Sequence, residues 1–582
     1  MGDRAVLRVG HPVVTRAEIR PGEGNPSPRG PVPRLGRDRT HGAGGMHCRC
    51  TRHQQPFTPC AICFSVPPCA PLEKGFGKPE DRSTGQNTSR TGQEAFMNRA
   101  VPEQKRTWTT GTAPGIFPLL GHGIALYRRP LAFLNSLPAH GDLVEIRLGP
   151  QRAWMVCHPE LAHEVLMDPH TFDKGGPLYD RLGKLMGDGL VTCRQSTHRD
   201  KRRLLQPAFR PSHVAAYTDL VTEEAEAVCE GWRTGRTVPV TEAMMTFTTR
   251  TISRVLLSDS LDDPTTARVR DCLADVVRGL FVRTVVPIDA LFRLPTPANR
   301  RYRNALSRLH AIIDTVIARR RRGPDRDDVL GTLLAAAHGA EDGDGDGPPI
   351  TDQEIHDHLI TLLLTGAETT ALCLAAAFDL LARHPAAERR LHAELDTVLA
   401  DGRRPGPDDL PHLVRTRCVV SETLRHSSPG WLFTRVATRE TELAGRRLPA
   451  GATVLYSPYL LHHDPASFPD PERFDPDRWL PGRPTAEQRR AAMPFSVGNR
   501  KCLGDEFAMV EATLALATIA AHRRLRHLPG HTPKPPRPAI TLGPRSLLMT
   551  CEARPRTPSP RTAGAPRTSH SRTAGDHVVD DA

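Results

Sequence analysis

The sequence predicts a mostly α-helical domain with a minor β-sheet region, set between disordered ends. Three observations predict it. Apolar residues recur at helical spacing from about residue 198 to 400. Short strand-like runs occur at 143–157 and again at 442–456. The two ends are dominated by Pro, Gly, Arg, Ser and Thr and hold no sustained apolar period. The expected organisation is an extension over 1–105 that is disordered or foreign to the native protein, one folded domain over 106–552, and a disordered tail over 553–582.

Along the chain, the extension carries five of the thirteen cysteines, Cys48, Cys50, Cys60, Cys63 and Cys69. Their spacing fits no standard four-ligand zinc pattern, because Cys48-x-Cys50 is not a two-residue knuckle and no His-x-His pair follows. Translated upstream DNA is the preferred reading, with Met97 as the start. Order begins near Gly115. Leu143–Leu148 and Ala153–Cys157 flank a Gly149-Pro150 turn and read as a β-hairpin. His158-Pro159-Glu160 opens a short helix, with Pro159 where a missing N–H costs least. A Gly/Asp-rich loop, Gly339 to Pro349, separates two helical blocks. Strands return at Glu442 to Tyr456, and a helix runs from Asp505 to Ala521.

The chain has 582 residues, 38% of them hydrophobic, and a formal charge of +13. Only eight of its 78 basic residues are lysine. An arginine bias with much Ala, Gly and Pro points to a GC-rich bacterial genome, and no Lys/Arg stripe interleaves with aromatics, so nucleic-acid binding is demoted and no nucleic-acid partner is expected. No run of about 18 uncharged apolar residues and no secretory signal is visible, which leads to the expectation of a cytoplasmic protein without a membrane anchor. The scattered cysteines argue against a disulfide framework.

The strongest chemical signal is Phe495-Ser-Val-Gly498-Asn-Arg500-Lys-Cys502-Leu-Gly504. It places one thiol just before a helix, where the dipole and free N–H groups favour a thiolate. Gly498 and Gly504 are expected to let the backbone approach a large flat ligand, and Arg500 offers a fork for a carboxylate. A merely buried cysteine at a loop–helix junction would not require all of these together.

This run resembles, at every defining position, the signature F-x-x-G-x-R-x-C-x-G of the cytochrome P-450 monooxygenases. The resemblance implies the P-450 fold over 106–552 and haem b, iron protoporphyrin IX, with Cys502 as the axial iron ligand. Phe495, Arg500 and Gly504 belong to the same cofactor-binding loop, and Arg500 pairs with a haem propionate. Glu422-Thr-Leu-Arg425 matches E-x-x-R, whose i, i+3 spacing sets both side chains on one helix face. Phe474-Asp-Pro-Asp-Arg478-Trp479 is similar to the family's P-E-R-F segment, so Glu422, Arg425 and Arg478 are implied to form a buried structural network. Thr365-Gly-Ala-Glu368-Thr369-Thr370 lies in an apolar helix, where a buried acid is costly unless it serves something. Resemblance puts this helix across the distal haem face, with Thr369 hydrogen-bonding dioxygen and Glu368 relaying protons. Thr365 departs from the usual Ala or Gly. His198-Arg-Asp-Lys-Arg202 matches [HW]-x-x-x-R, and with Arg435 is implied to reach the propionates. The outward face of that helix, Arg199, Lys201 and Arg203, suits an acidic ferredoxin.

The phrasing of 113–530 is similar to bacterial terpenoid oxidases, among them pentalenene oxygenases and albaflavenone synthases. The expected substrate is a hydrophobic small molecule, a cyclic sesquiterpene or other terpenoid of secondary metabolism. The expected pocket segments are Gly175–Tyr179, Leu280–Leu294, Thr361–Thr365 and Trp431–Phe433, all predominantly apolar. Electrons are expected from NAD(P)H through a ferredoxin reductase and ferredoxin, and the enzyme is expected to be a monomer. Two alternatives stand beside this: a peroxide-driven fatty-acid hydroxylase, against which the Glu368-Thr369 pair counts, and a non-catalytic haem-binding sensor.

Overall fold

The computed structural model describes residues 106–554, apart from 259–260, 287, 325, 327, 342–349, 401 and 531–538. The extension with its five cysteines and Met97, most of the Gly/Asp-rich loop and the tail beyond Arg554 lie outside the described residues.

Helices dominate, and they enclose one long helix, Asp352–Arg383. It starts at a reciprocal cap in which Thr351 and Glu354 satisfy each other's backbone N–H groups. Among the described residues this helix alone is long and apolar enough to cross a membrane, yet 83% of its most apolar window is buried within the protein. Its main neighbour is Val240–Leu257. The two axes approach closely at Gly366, where a Cβ would lie 2.8 Å from the Ile252 side chain. Thr248 donates across the same contact to the Ala367 carbonyl at 2.6 Å. The helix Asp505–His522, apolar on all sides, packs against the same centre.

Eleven strands are formed among the described residues. They are β1 Thr110–Thr112, β2 Leu143–Leu148, β3 Gln151–Val156, β4 Phe172–Asp173, β5 Thr237–Pro239, β6 Phe433–Ala437, β7 Thr441–Leu443, β8 Arg446–Leu448, β9 Thr453–Tyr456, β10 Arg523–His527 and β11 Leu548–Ala553. The main sheet has the order β1-β2-β3-β9-β6-β4. The hairpin β2–β3 pairs Ile146 with Ala153 around the Gly149 turn, and β3 runs parallel to β9. β7 and β8 form a small hairpin of their own.

The third sheet, β10-β11-β5, was not legible in the sequence. β5 interrupts the stretch expected to be helical, because three residues carry too short a pattern to announce a strand and their partner lies some 300 positions away. β11 also extends the fold through Ala553, past the expected boundary at 552. Likewise the helix Val329–Glu341 continues through Gly339, where a loop was expected.

Candidate active site

The thiol loop is shaped by two residues in the left-handed region, Ser496 (φ 61°) and Gly498 (φ 75°). The Cys502 N–H closes the loop by donating to the Phe495 carbonyl at 2.9 Å. A Cβ on Gly498 would stand 2.6 Å from the carbonyl oxygen of Leu166. Gly498 therefore allows approach to the protein's own helix Pro159–Met167 and not to a flat ligand, which corrects the sequence expectation. Gly504 has an ordinary φ, lines the cavity and turns its N–H toward the Cys502 sulfur. The helix that follows begins with Asp505 and Glu506, acids where the dipole favours them.

Cys502 is the only exposed cysteine among the described residues. Its exposure is to a cavity of about 1470 Å³ free of protein atoms, mouth included. Burial pushes its thiol up; the Gly504 N–H, Lys174 and Arg202 pull the other way. The helix start alone therefore does not hold a thiolate here. A bound cation would displace the proton and supply the missing stabilisation.

Basic groups gather on the same cavity. His198 and Arg202, one turn apart on the helix Gln195–Leu205, both line it. Arg435 and Phe433 alternate with Thr434 along β6, so both face the cavity while Thr434 donates to the Gly175 carbonyl at 2.6 Å. Tyr456, opposite Phe433 in β9, stacks on it at 5.3 Å and extends that wall. Arg500 lines the cavity too, but its nitrogens are engaged by Asp173 at 2.8 Å, the Cys193 carbonyl at 3.0 Å and Gln195 at 3.1 Å. Arg202 holds the loop by donating to the Lys501 carbonyl at 2.7 Å. Lys174, which the sequence analysis missed, completes the set. Burial, with Arg435 and Arg500 nearby, lowers Lys174 to about 7, and burial with the same kind of neighbours lowers His198 to about 3.

Lys174, His198, Arg202, Arg435 and Arg500 thus face Asp173 as the nearby paired acid. A dianionic ligand placed here would neutralise the excess charge. Haem, which the sequence resemblance implies, fits this donor set: one accessible sulfur, basic groups for two carboxylates, and apolar walls from Phe495, Leu362, Ile252 and Phe433.

Glu422 and Arg425 form a bidentate pair at 2.9 Å and 2.9 Å with both side chains fully buried. Trp479 Nε1 donates to the same carboxylate at 2.8 Å, the Asp475 N–H at 3.0 Å, and Arg478 Nε lies 3.5 Å away. Arg425 also donates to the His462 carbonyl at 3.0 Å. The network ties the helix Val414–His426 to the segment before the thiol loop and does not touch the cavity.

On the central helix, Thr369 lines the cavity and its hydroxyl donates to the Thr365 carbonyl at 2.7 Å. Glu368 is turned away from the cavity lining and pairs with Arg545 at 2.6 Å. Arg545 is one-third exposed and is held by Thr541. A second acid, Glu511 of the helix after the thiol, lines the cavity instead. It is 1% exposed, neither carboxylate oxygen has a hydrogen-bond partner, and burial raises it to about 8, with only Thr370 opposing. An acid flanked by Val510, Ala512 and Leu514 carries the same signal that singled out Glu368.

Lys201 does not belong to an outward basic face. It is buried and bonded to Asp188 at 2.8 Å and Glu354 at 3.3 Å, leaving Arg199 and Arg203 exposed. Of the expected pocket segments, Tyr179, Thr361, Thr365 and Phe433 line the cavity. Trp431 is instead buried in a separate core with its indole N–H on the Ala539 carbonyl, and Leu291 and Leu294 face outward.

A family model described as Cytochrome P450 matches residues 113–550. The chain is 49% identical to "Cyclooctat-9-en-7-ol 5-monooxygenase" of Streptomyces melanosporofaciens, over 74% of this chain and 93% of that protein. It is 46% identical to "Cyclooctatin synthase" of the same organism, over 78% and 98%. Identity to "Pentalenene oxygenase" of Streptomyces avermitilis is 43%, over 77% and 99%.

Proposed function

The chain belongs to the cytochrome P450 family and is a haem-dependent monooxygenase served by redox partners, and from that premise we propose that it hydroxylates a cyclic terpenoid of secondary metabolism, with Cys502 as the residue that would hold the haem iron. The observation that carries the ligand assignment is that the one accessible thiol among the described residues opens into a cavity lined by basic side chains. The names of two relatives, a cyclooctat-9-en-7-ol 5-monooxygenase and a pentalenene oxygenase, and the apolar walls support the substrate class. The haem, when bound, supplies the activation of dioxygen and the insertion of one of its atoms into a C–H bond, the other atom leaving as water.

Each residue has a separate task. His198, neutral because it is buried among cations, donates or accepts a hydrogen bond at the cofactor's edge, while Lys174, Arg202, Arg435 and Arg500 hold its carboxylates by charge. Phe495 and Gly504 shape the loop around the sulfur. Thr369, with its proton committed to the backbone, presents lone pairs to the cavity, where it would accept a hydrogen bond from an O–H group. Glu368 carries protons inward from the surface when Arg545 releases it, since that arginine reaches solvent. Glu422, Arg425 and Arg478 maintain the fold that presents the loop. Electrons come from NAD(P)H through a reductase and an acidic ferredoxin docking at Arg199 and Arg203. The domain, expected over 106–552 and carried through Ala553 by β11, works as a cytoplasmic monomer.

The test is the spectrum of the reduced, carbon-monoxide-treated holoprotein. The expected result is the red-shifted thiolate band, lost in Cys502→His and Cys502→Ser along with hydroxylation of terpenes under surrogate redox partners. A band typical of imidazole ligation in the wild type, or wild-type turnover in either variant, would refute the assignment.

A further inference from the structure

Between Ile355 and Phe378 every residue of the central helix is buried except Thr365, Gly366 and Thr369. All three line the cavity, so their exposure is to the ligand space and not to bulk water. Thr361, Thr365 and Thr369 stand one turn apart and form a single stripe. The Thr365 hydroxyl donates to the Thr361 carbonyl at 2.7 Å, as Thr369 does to Thr365. A hydroxyl owns one proton and two lone pairs. With the proton held by the backbone, Thr365 meets the cavity as an acceptor. Leu362 and Ile252, which share this wall, offer no donor.

A hydrocarbon pressed against that wall would strip water from the acceptor and return nothing for it. We infer that Thr365 accepts a hydrogen bond from a hydroxyl group already present on the substrate, so the enzyme oxidises a terpenoid alcohol in preference to the parent hydrocarbon. The inference rests on the terpenoid reading above and narrows it. It also places the reaction: an earlier step must install that oxygen, either a cyclisation ended by water or a first oxygenation.

Absorbance titration of the oxidised holoenzyme reads binding without turnover. Matched pairs serve as probes: α-cedrene with cedrol, and ent-kaurene with ent-kaurenol. In the wild type the alcohol of at least one pair is expected to bind about tenfold more tightly, the range of one net hydrogen bond. Thr365→Val should reduce the ratio to within about twofold, while Thr365→Ser should keep it; the carbon-monoxide band checks that both variants hold haem. Equal affinity within every pair, or an undiminished preference in Thr365→Val, overturns the role of Thr365 and leaves the terpenoid reading standing. Failure of every terpenoid to shift the spectrum, with a fatty acid doing so, overturns both.

Discussion

Two acids near the cavity sit in opposite surroundings, and each setting dictates its own behaviour. Glu368 has a guanidinium against it; Glu511 has Thr370 as its polar neighbour, and burial lifts it to about 8. A carboxyl raised in the folded state keeps a proton that the unfolded chain loses near its ordinary value of 4.5. Between those limits the unfolded state binds fewer protons, so the native state loses stability as pH rises, and the loss levels off above about 8. Glu511→Gln removes this term while preserving shape. The variant should therefore match the wild type near pH 4.5 and gain on it steadily up to pH 8, read as a widening difference in melting temperature. A pH-independent difference would show that Glu511 is ionised. Thr369→Ala takes a hydrogen-bonding oxygen out of the cavity, and NADPH consumption should then exceed product, with the balance appearing as peroxide. Unchanged coupling would remove Thr369 from the reaction.

The thiol loop depends on its neighbour helix at one glycine. Gly498→Ala introduces a side chain in the left-handed region, at roughly 1–2 kcal/mol for the conformation alone, and drives it against the Leu166 carbonyl, which cannot rotate away. Lower haem retention and a lower denaturation midpoint are expected; a normally loaded, equally stable variant would show that the loop adapts. Elements of this kind divide by how locally they are encoded. The hairpin β2–β3, the apolar central helix and the Glu422–Arg425 pair are written in contiguous or i, i+3 patterns and were legible. Lys201 was misread because Asp188 and Glu354, which capture it, come from separate segments. The β5–β11 pairing was invisible for the same reason, and Gly498 was misread because only the packed structure reveals which backbone it admits. Lys174 lies in the run Phe172-Asp-Lys-Gly-Gly176, which carries no chemical signal of its own; only the convergence of β4, β6 and the thiol loop makes it part of the cradle.

At the scale of the whole molecule, the charge of +13 is not evenly useful. Arg199 and Arg203 are exposed on the helix whose Arg202 grips the thiol loop, the place proposed for the electron donor. The double variant Arg199→Glu/Arg203→Glu should slow reduction by ferredoxin about tenfold at low ionic strength, with the deficit shrinking as salt screens the charges. Stopped-flow formation of the carbon-monoxide complex measures it. A rate insensitive to the double change would place docking elsewhere on the surface.

Glu368 meets its arginine 177 positions downstream, and β5 waits for a partner at 548–550. Cys502 follows His198 by some three hundred positions, so a ribosome has translated most of the domain before both sides of the cradle exist. Nascent chains therefore have no finished berth for the pigment, and its capture belongs to the last moments of biosynthesis or after release.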